Sequence, residues 1–253
     1  MRIAYTLCVV IIGLLFFSAR SYSLENKSTS TLNLGYSEFA PYTFTSAQGL
    51  PSGEVNDIVK TVVLKSGYDF TSVPGPNRRL FRDMLIDNID LLMVVPFKDA
   101  DSDKLIFGEK AFDTLEITIF WLPEKARPVT DIVQLREKRL ITIAGYSYGG
   151  VFKGEGDLVN AELFLSESHP QALKALNLGR APYLLAYKKA VQFYSEDDTE
   201  VSLRSFNFKS IPLVLSIRRS YPDAEKVLKE LESRYAELYP ERFKALNPVL
   251  PAS

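Results

Sequence analysis

The apolar positions of this chain change their spacing several times, and each change marks an element. Leu32 and Leu34 alternate with polar neighbours as a short strand does, and a loop rich in rings follows from Gly35 to Phe44. Val55, Ile58, Val59, Val62 and Val63 then recur at helical spacing until Gly67 stops the run. Residues 69–74 read as a strand and Asn77 as the cap of a helix with Leu80, Phe81, Met84 and Leu85 on one side. Residues 91–95 are aliphatic enough for a strand buried on both faces. Strand and helix in alternation predict a parallel sheet.

Residues 115–122 predict a second apolar strand that runs into a linker at 123–128, where two prolines frame charges. The pattern then restarts. A helix is expected over 130–137, a strand over 140–144, the segment Gly145-Tyr146-Ser147-Tyr148-Gly149-Gly150, and a strand over 162–165. Ser168 and Gln171 have the spacing of a capping box ahead of Leu173 and Leu176, and Gly179 closes that helix. A strand over 212–217 precedes a last helix, opened by Pro222, Asp223 and Glu225. Its Val227, Leu228, Leu231, Tyr235 and Leu238 share one face and must dock on something apolar. The restart makes two α/β lobes the economical reading.

The first residues bear on the compartment. Arg2 precedes an apolar run over 3–17 and then Ser18, Ala19, Ser21 and Ser23, the form of a secretory signal peptide over 1–23. The run is too short for the roughly 20 residues of a membrane span, so no integral membrane segment is expected after cleavage. Cys8, the only cysteine, leaves with it, which excludes disulfides, thiolate catalysis and cysteine–metal sites in the mature chain. Loss of Arg2 and Arg20 moves the formal charge from −1 to −3, and no basic stretch offers a footprint for nucleic acid.

The candidate chemistry begins in the first loop. Tyr36, Phe39, Tyr42 and Phe44 each forfeit roughly 1.5–3 kcal/mol if left exposed. They follow the carboxyl end of a strand, where open α/β sheets hold ligands, and so should cover either the core or a bound molecule. Gly145-Tyr146-Ser147-Tyr148-Gly149 matches the nucleophile elbow of serine hydrolases. The only histidine, however, is His169, close behind, with Asp157 alone between them and no glycine-rich oxyanion segment ahead. The segment is better read as a helix N-terminus whose amides, with the Ser147 hydroxyl, receive an anionic or carbonyl group. His169 reads as a surface residue at a helix start. Asp99, Asp101 and Asp103 imitate a calcium loop, but Lys104 and Lys110 stand where glycine and glutamate are needed. A solvated turn is expected there, and neither metal nor cofactor. Arg78 and Arg79 open a helix against its dipole and call for a partner anion, with Arg79 the preferred ligand contact.

Several stretches together carry a resemblance: Gly35 to Pro41 with Gly53 and Asp57, Ile89-Asp90, Phe107-Gly108, Ile143 to Tyr148, Ala172 to Arg180, and the closing strand and helix. In order and spacing, over essentially the whole mature length, the chain resembles the bacterial type II periplasmic solute-binding proteins, specifically extracellular family 3 with its polar amino-acid binders. The resemblance implies an α/β, two-lobed fold, each lobe a mixed, mostly parallel sheet flanked by helices, with a hinge and a ligand cleft that closes by lobe motion. Lobe 1 would comprise residues 24–122 and 213–253, and lobe 2 residues 123–212.

Departures from the family pattern redirect the ligand. The position of the arginine that grips an α-carboxylate is Asp101, that of the acid holding the α-ammonium is Tyr187, and an earlier aspartate is Pro182. Burying either charge without its partner costs several kcal/mol, so a free α-amino acid is not the expected ligand. Tyr36, Phe39, Tyr42, Tyr146, Ser147, Tyr148 and Tyr187 stand instead, with Arg79 and Lys98 as cations, a set suited to a planar or apolar solute with one anionic or carbonyl end. The expectation is a monomeric periplasmic binding protein without a catalytic step, serving an ABC transporter permease or a membrane sensor. Some dehydratases share the resemblance, and for that alternative Glu38 or Glu54 would be the positioned acid. A hydrolase acting through Ser147 is the lesser alternative.

Overall fold

The computed structural model describes residues 30–97, 102–152, 158–195 and 202–248. The expected leader, Lys98, Asp99, Asp101 and Asp157 lie outside them. Among the described residues no helix is long and apolar enough to cross a membrane.

Strand β1 (Thr31–Tyr36) buries Leu32 and Leu34 completely, as their alternation predicts. A small hairpin of β2 (Phe44–Thr45) and β3 (Pro51–Ser52) leads into helix α1 (Glu54–Lys65). β1 pairs in parallel with β4 (Asp69–Pro74) on one side and with β5 (Leu91–Val94) on the other. The valines of α1 join Leu32 and Leu34 in one core. Leu80 and Met84 of α2 (Asn77–Leu85) pack with Ile89, Leu92 and Leu105 in a second. Pro76 rather than Asn77 caps α2, with no side-chain hydrogen bond.

Two long strands then carry the chain between its halves. β6 (Leu105–Trp121) begins ten residues before the strand that the apolar run predicts. Glu109, Lys110, Asp113 and Thr114 break its apolar pattern because this stretch crosses from one half to the other. It runs antiparallel to a last strand spanning Arg204–Arg218. In the second half, β7 (Arg139–Ile143) and β8 (Glu162–Ser166) pair in parallel, and β9 (Tyr183–Tyr187), wholly buried, joins β7 to β6. With the Arg204–Arg218 strand as β10, one continuous sheet results, in the order β4-β1-β5-β10-β6-β9-β7-β8. Residues 214–217 of β10 pair with β5, whereas residues 117–120 of β6 pair with β9, so the change of partners falls inside the strands. There Pro212 faces Thr114, and the register slips so that Phe112 is left over, a bulge that bends the pair.

The expected helix over 130–137 is a single 3₁₀ turn, Ile132–Leu135, held by a capping box of Asp131 and Gln134 and ended by Glu137 at positive φ. α3 (His169–Asn177) starts at Ser168, whose hydroxyl accepts from the Gln171 amide, but the Gln171 side chain accepts from Glu167 rather than closing the box. α4 (Lys188–Ser195), directly after β9, has no counterpart in the sequence reading. The last helix docks as required, and breaks at Pro240 into α5 (Ala224–Leu238) and α6 (Pro240–Leu246). Tyr235 of α5 stacks on the bulged Phe112, with ring centres 4.2 Å apart, and donates to its carbonyl at 3.2 Å.

Candidate binding cleft

The loop after β1 is built to present rings. The Phe39 amide donates to the Thr43 carbonyl at 2.7 Å, Tyr42 donates back to Phe39 at 3.0 Å, and the Thr43 hydroxyl donates to the Ser37 carbonyl at 2.9 Å. The first amides of α1 are satisfied by the same loop, Glu54 to Pro41 at 3.0 Å and Val55 to Tyr42 at 2.9 Å. Such close approach requires Gly53, at φ 111°, because a Cβ there would sit 2.5 Å from the Tyr42 oxygen.

Below the loop lies a cavity of about 860 Å³, the size of a small-molecule site. The first half lines it with the end of β1, the loop, Pro74 to Asn77, Leu80, Phe81 and the end of β5 through Phe97. The second half contributes Gly145, Tyr146, Ser147 and Tyr187, and the crossing strands contribute Leu115 and Leu213. Phe39 bridges the two. It stacks on Tyr42 at 4.8 Å and meets both Tyr146 and Tyr187 at 5.4 Å, edge to face. Burial pushes the Tyr187 hydroxyl up to about 12, and drives those of Tyr42 and Tyr146 well above the ordinary tyrosine range, so all three stay protonated.

Six of the expected contacts, Tyr36, Phe39, Tyr42, Tyr146, Ser147 and Tyr187, thus share this cavity. Two described ones, Tyr148 and Arg79, do not join them. Tyr148 is turned inward by positive φ at Tyr148, Gly149 and Gly150, and its oxygen accepts from the Ile143 amide at 2.8 Å inside the core. The segment forms one 3₁₀ turn, Tyr148–Gly150, not the helix N-terminus expected to receive an anion. Arg79 lines no part of the cavity either. Its guanidinium lies over Gly75, donates to the Pro74 carbonyl and stands 3.8 Å from Asp83, so the end of β4 and its own helix supply the partners that the sequence reading sought in a ligand. Lys98 lies outside the described residues.

His169, expected at the surface, is buried between Tyr146 and Tyr194, with ring centres at 5.7 and 5.5 Å. Burial holds it down to about 4 and therefore neutral. Its Nε2 has no hydrogen-bond partner among the described residues, so the base that a Ser147 nucleophile would need is not engaged with it.

Beside Tyr42 lies an ion cluster that the sequence did not announce. Lys189, in the first turn of α4, bonds both carboxylate oxygens of Asp113 at 2.8 and 2.9 Å and Glu54 at 3.0 Å. Arg242 of α6 donates to Glu54, to Asp113 at 2.8 Å and to the Phe112 carbonyl at 3.3 Å. The Lys189 ammonium also stands 5.4 Å from the centre of the Tyr42 ring. Burial alone would raise the Glu54 carboxyl, but bonds from Lys189 and Arg242 and their charges outweigh it and hold Glu54 below the usual range. An acid kept ionised in this way is a poor proton donor. The only hint in the sequence is the charge of Asp113 inside an apolar strand, since the four residues come from four distant segments.

No family model and no curated protein matches the sequence. Solved structures do. A histidine kinase sensor domain with similarity to periplasmic binding proteins superposes with a TM-score of 0.68 at 15% identity, over 88% of this chain and 99% of that one. A substrate-binding protein of an ABC uptake transporter from Streptococcus pneumoniae, with bound histidine, gives 0.65 at 17%, over 87% and 93%. An ancestral amino acid-binding protein, a precursor of cyclohexadienyl dehydratase, gives 0.64 at 19%, over 85% and 96%. This is the type II periplasmic-binding-protein fold. In that fold the crossing pair β6 and β10 links the lobes, and the cavity under Phe39 lies between them. The periplasmic-binding-protein fold serves a transporter, a sensor and a dehydratase precursor alike, so function must be argued from the cleft.

Proposed function

We propose that this chain is a periplasmic solute-binding protein that captures a small molecule between its lobes, for an ABC transporter or a membrane sensor, and that the molecule is not a standard free α-amino acid. The observation that carries this reading is the composition of the cleft. Rings from both lobes meet across a cavity of about 860 Å³, and among its described lining residues there is no arginine or lysine to pair an α-carboxylate. Lobe 1 then comprises residues 24–122 and 213–253 and lobe 2 residues 123–212, with the two long strands shared as the hinge. The apolar start of the chain, over 1–23, serves as an export signal that is removed. Capture itself is the functional event, driven by tighter binding to the closed arrangement of the lobes.

The test is native mass spectrometry of the protein purified from the periplasm of its source, followed by a thermal-shift screen of the compounds recovered. A recovered solute should raise the melting temperature of the wild type and do so much less in Tyr146→Ala. A free amino acid that stabilises both proteins equally would overturn the reading.

A further inference from the structure

We infer that the cleft takes a small organic cation with an apolar or aromatic body and no carboxylate, its positive end beside Glu38. This rests on the solute-binding reading and goes further, by naming the ligand's charge. Glu38, at the exposed mouth, is the only charged side chain among the described residues that line the cavity. Its carboxylate is already oriented, because Thr45 donates to it twice, from its amide at 3.0 Å and from its hydroxyl at 2.5 Å. That hydroxyl has one proton and spends it on Glu38, so the 2.9 Å contact between Tyr36 and Thr45 has Tyr36 as donor. The Tyr36 oxygen keeps lone pairs to offer and no proton. Two polar groups of the first lobe therefore present themselves as acceptors.

The ring faces of the wall agree with these two. Phe39, Tyr146 and Tyr187 surround the bridge between lobes, and ring faces attract an ammonium through their quadrupole. Two cations among the described residues that stand beside lining residues are used elsewhere. Arg79 is committed to Pro74 and Asp83, and Lys189 to Asp113 and Glu54. An anion would enter an aromatic cavity whose one described charge repels it, whereas an ammonium meets a carboxylate, a phenol oxygen and rings.

The probes are three molecules of one shape, 2-phenylethylamine, 2-phenylethanol and 3-phenylpropanoate, titrated calorimetrically into the mature chain and into Glu38→Gln, which retains an oxygen for Thr45. The amine should bind about tenfold or more tightly than the alcohol, the carboxylate should bind most weakly, and Glu38→Gln should remove the preference for the amine. The inference is overturned if the carboxylate binds as well as the amine, if Glu38→Gln leaves amine affinity unchanged, or if the amine does not bind at millimolar concentration. Tight binding of the alcohol or the carboxylate that is lost in Tyr146→Ala would remove the charge assignment and leave the solute-binding reading standing.

Discussion

Lys189 Nζ lies 2.8 Å from the carboxylate of Asp113, whose side chain is 2% exposed. Lys189 belongs to α4, directly after β9, and Asp113 to the long strand β6, and the same ammonium reaches Glu54 at the start of α1. Lys189→Met leaves Asp113 and Glu54 with Arg242 as the one cation bonded to them among the described residues. Removing one member of a partly buried ionic cluster is expected to cost about 1–3 kcal/mol, measurable by urea unfolding. Small-angle scattering of the same variant without ligand should show a wider distribution of lobe separations than in the wild type.

Phe39 stacks on Tyr42 of its own loop and meets Tyr146 and Tyr187 across the cavity, so its truncation should affect stability and binding together. Phe39→Ala is expected to lower stability by about 1–3 kcal/mol and to weaken capture of the recovered solute by about tenfold or more. Arg79→Ala is the contrast. With its guanidinium on Pro74 and Asp83, affinity should stay within about twofold of the wild type in a parallel titration.

His169 and Glu54 contribute to the response to acid in different windows. His169 is held down to about 4 from an ordinary 6.5, so the unfolded chain binds this proton more readily and stability falls as pH drops from about 6.5 to 4. His169→Phe should flatten that part of a plot of melting temperature against pH. Glu54 is depressed below its ordinary 4.5, so its contribution is complete above that value and is lost as pH falls further. Glu54→Gln should flatten the lower window only.

Gly53→Ala tests the loop. Its φ of 111° and the 2.5 Å approach to the Tyr42 oxygen leave no room for a methyl group, and the substitution should cost about 1–3 kcal/mol by thermal or urea unfolding. The loop carries Phe39 and Tyr42, so solute binding should weaken in the same protein.

Legibility in the sequence followed how local the determining contacts are. α1, β4 and β5 could be read almost to the residue, because α1 and β5 face cores and β4 alternates half-buried with exposed positions over most of its length. β6 could not, because its early residues serve the crossing between lobes rather than one core, and its charges disguise it. The aromatic loop announced itself through rings too costly to expose, and Tyr36, Phe39 and Tyr42 do line the cavity. Arg79 misled, since a helix dipole argument says that an arginine wants an oxygen but not that Pro74, five residues back, already provides one. Tyr148 misled because its direction depends on three consecutive positive φ angles, which residue type alone does not impose on a tyrosine.

Because β6 and β10 are each woven into both ends of a single sheet, neither end owns a full complement of strands. A fragment covering one end would lack a neighbour for β5 or for β9 and would bare a row of unpaired amides and carbonyls. The two ends are therefore bound to be made, unfolded and inherited as one piece, even though a solute entering the gap would meet them as opposing jaws.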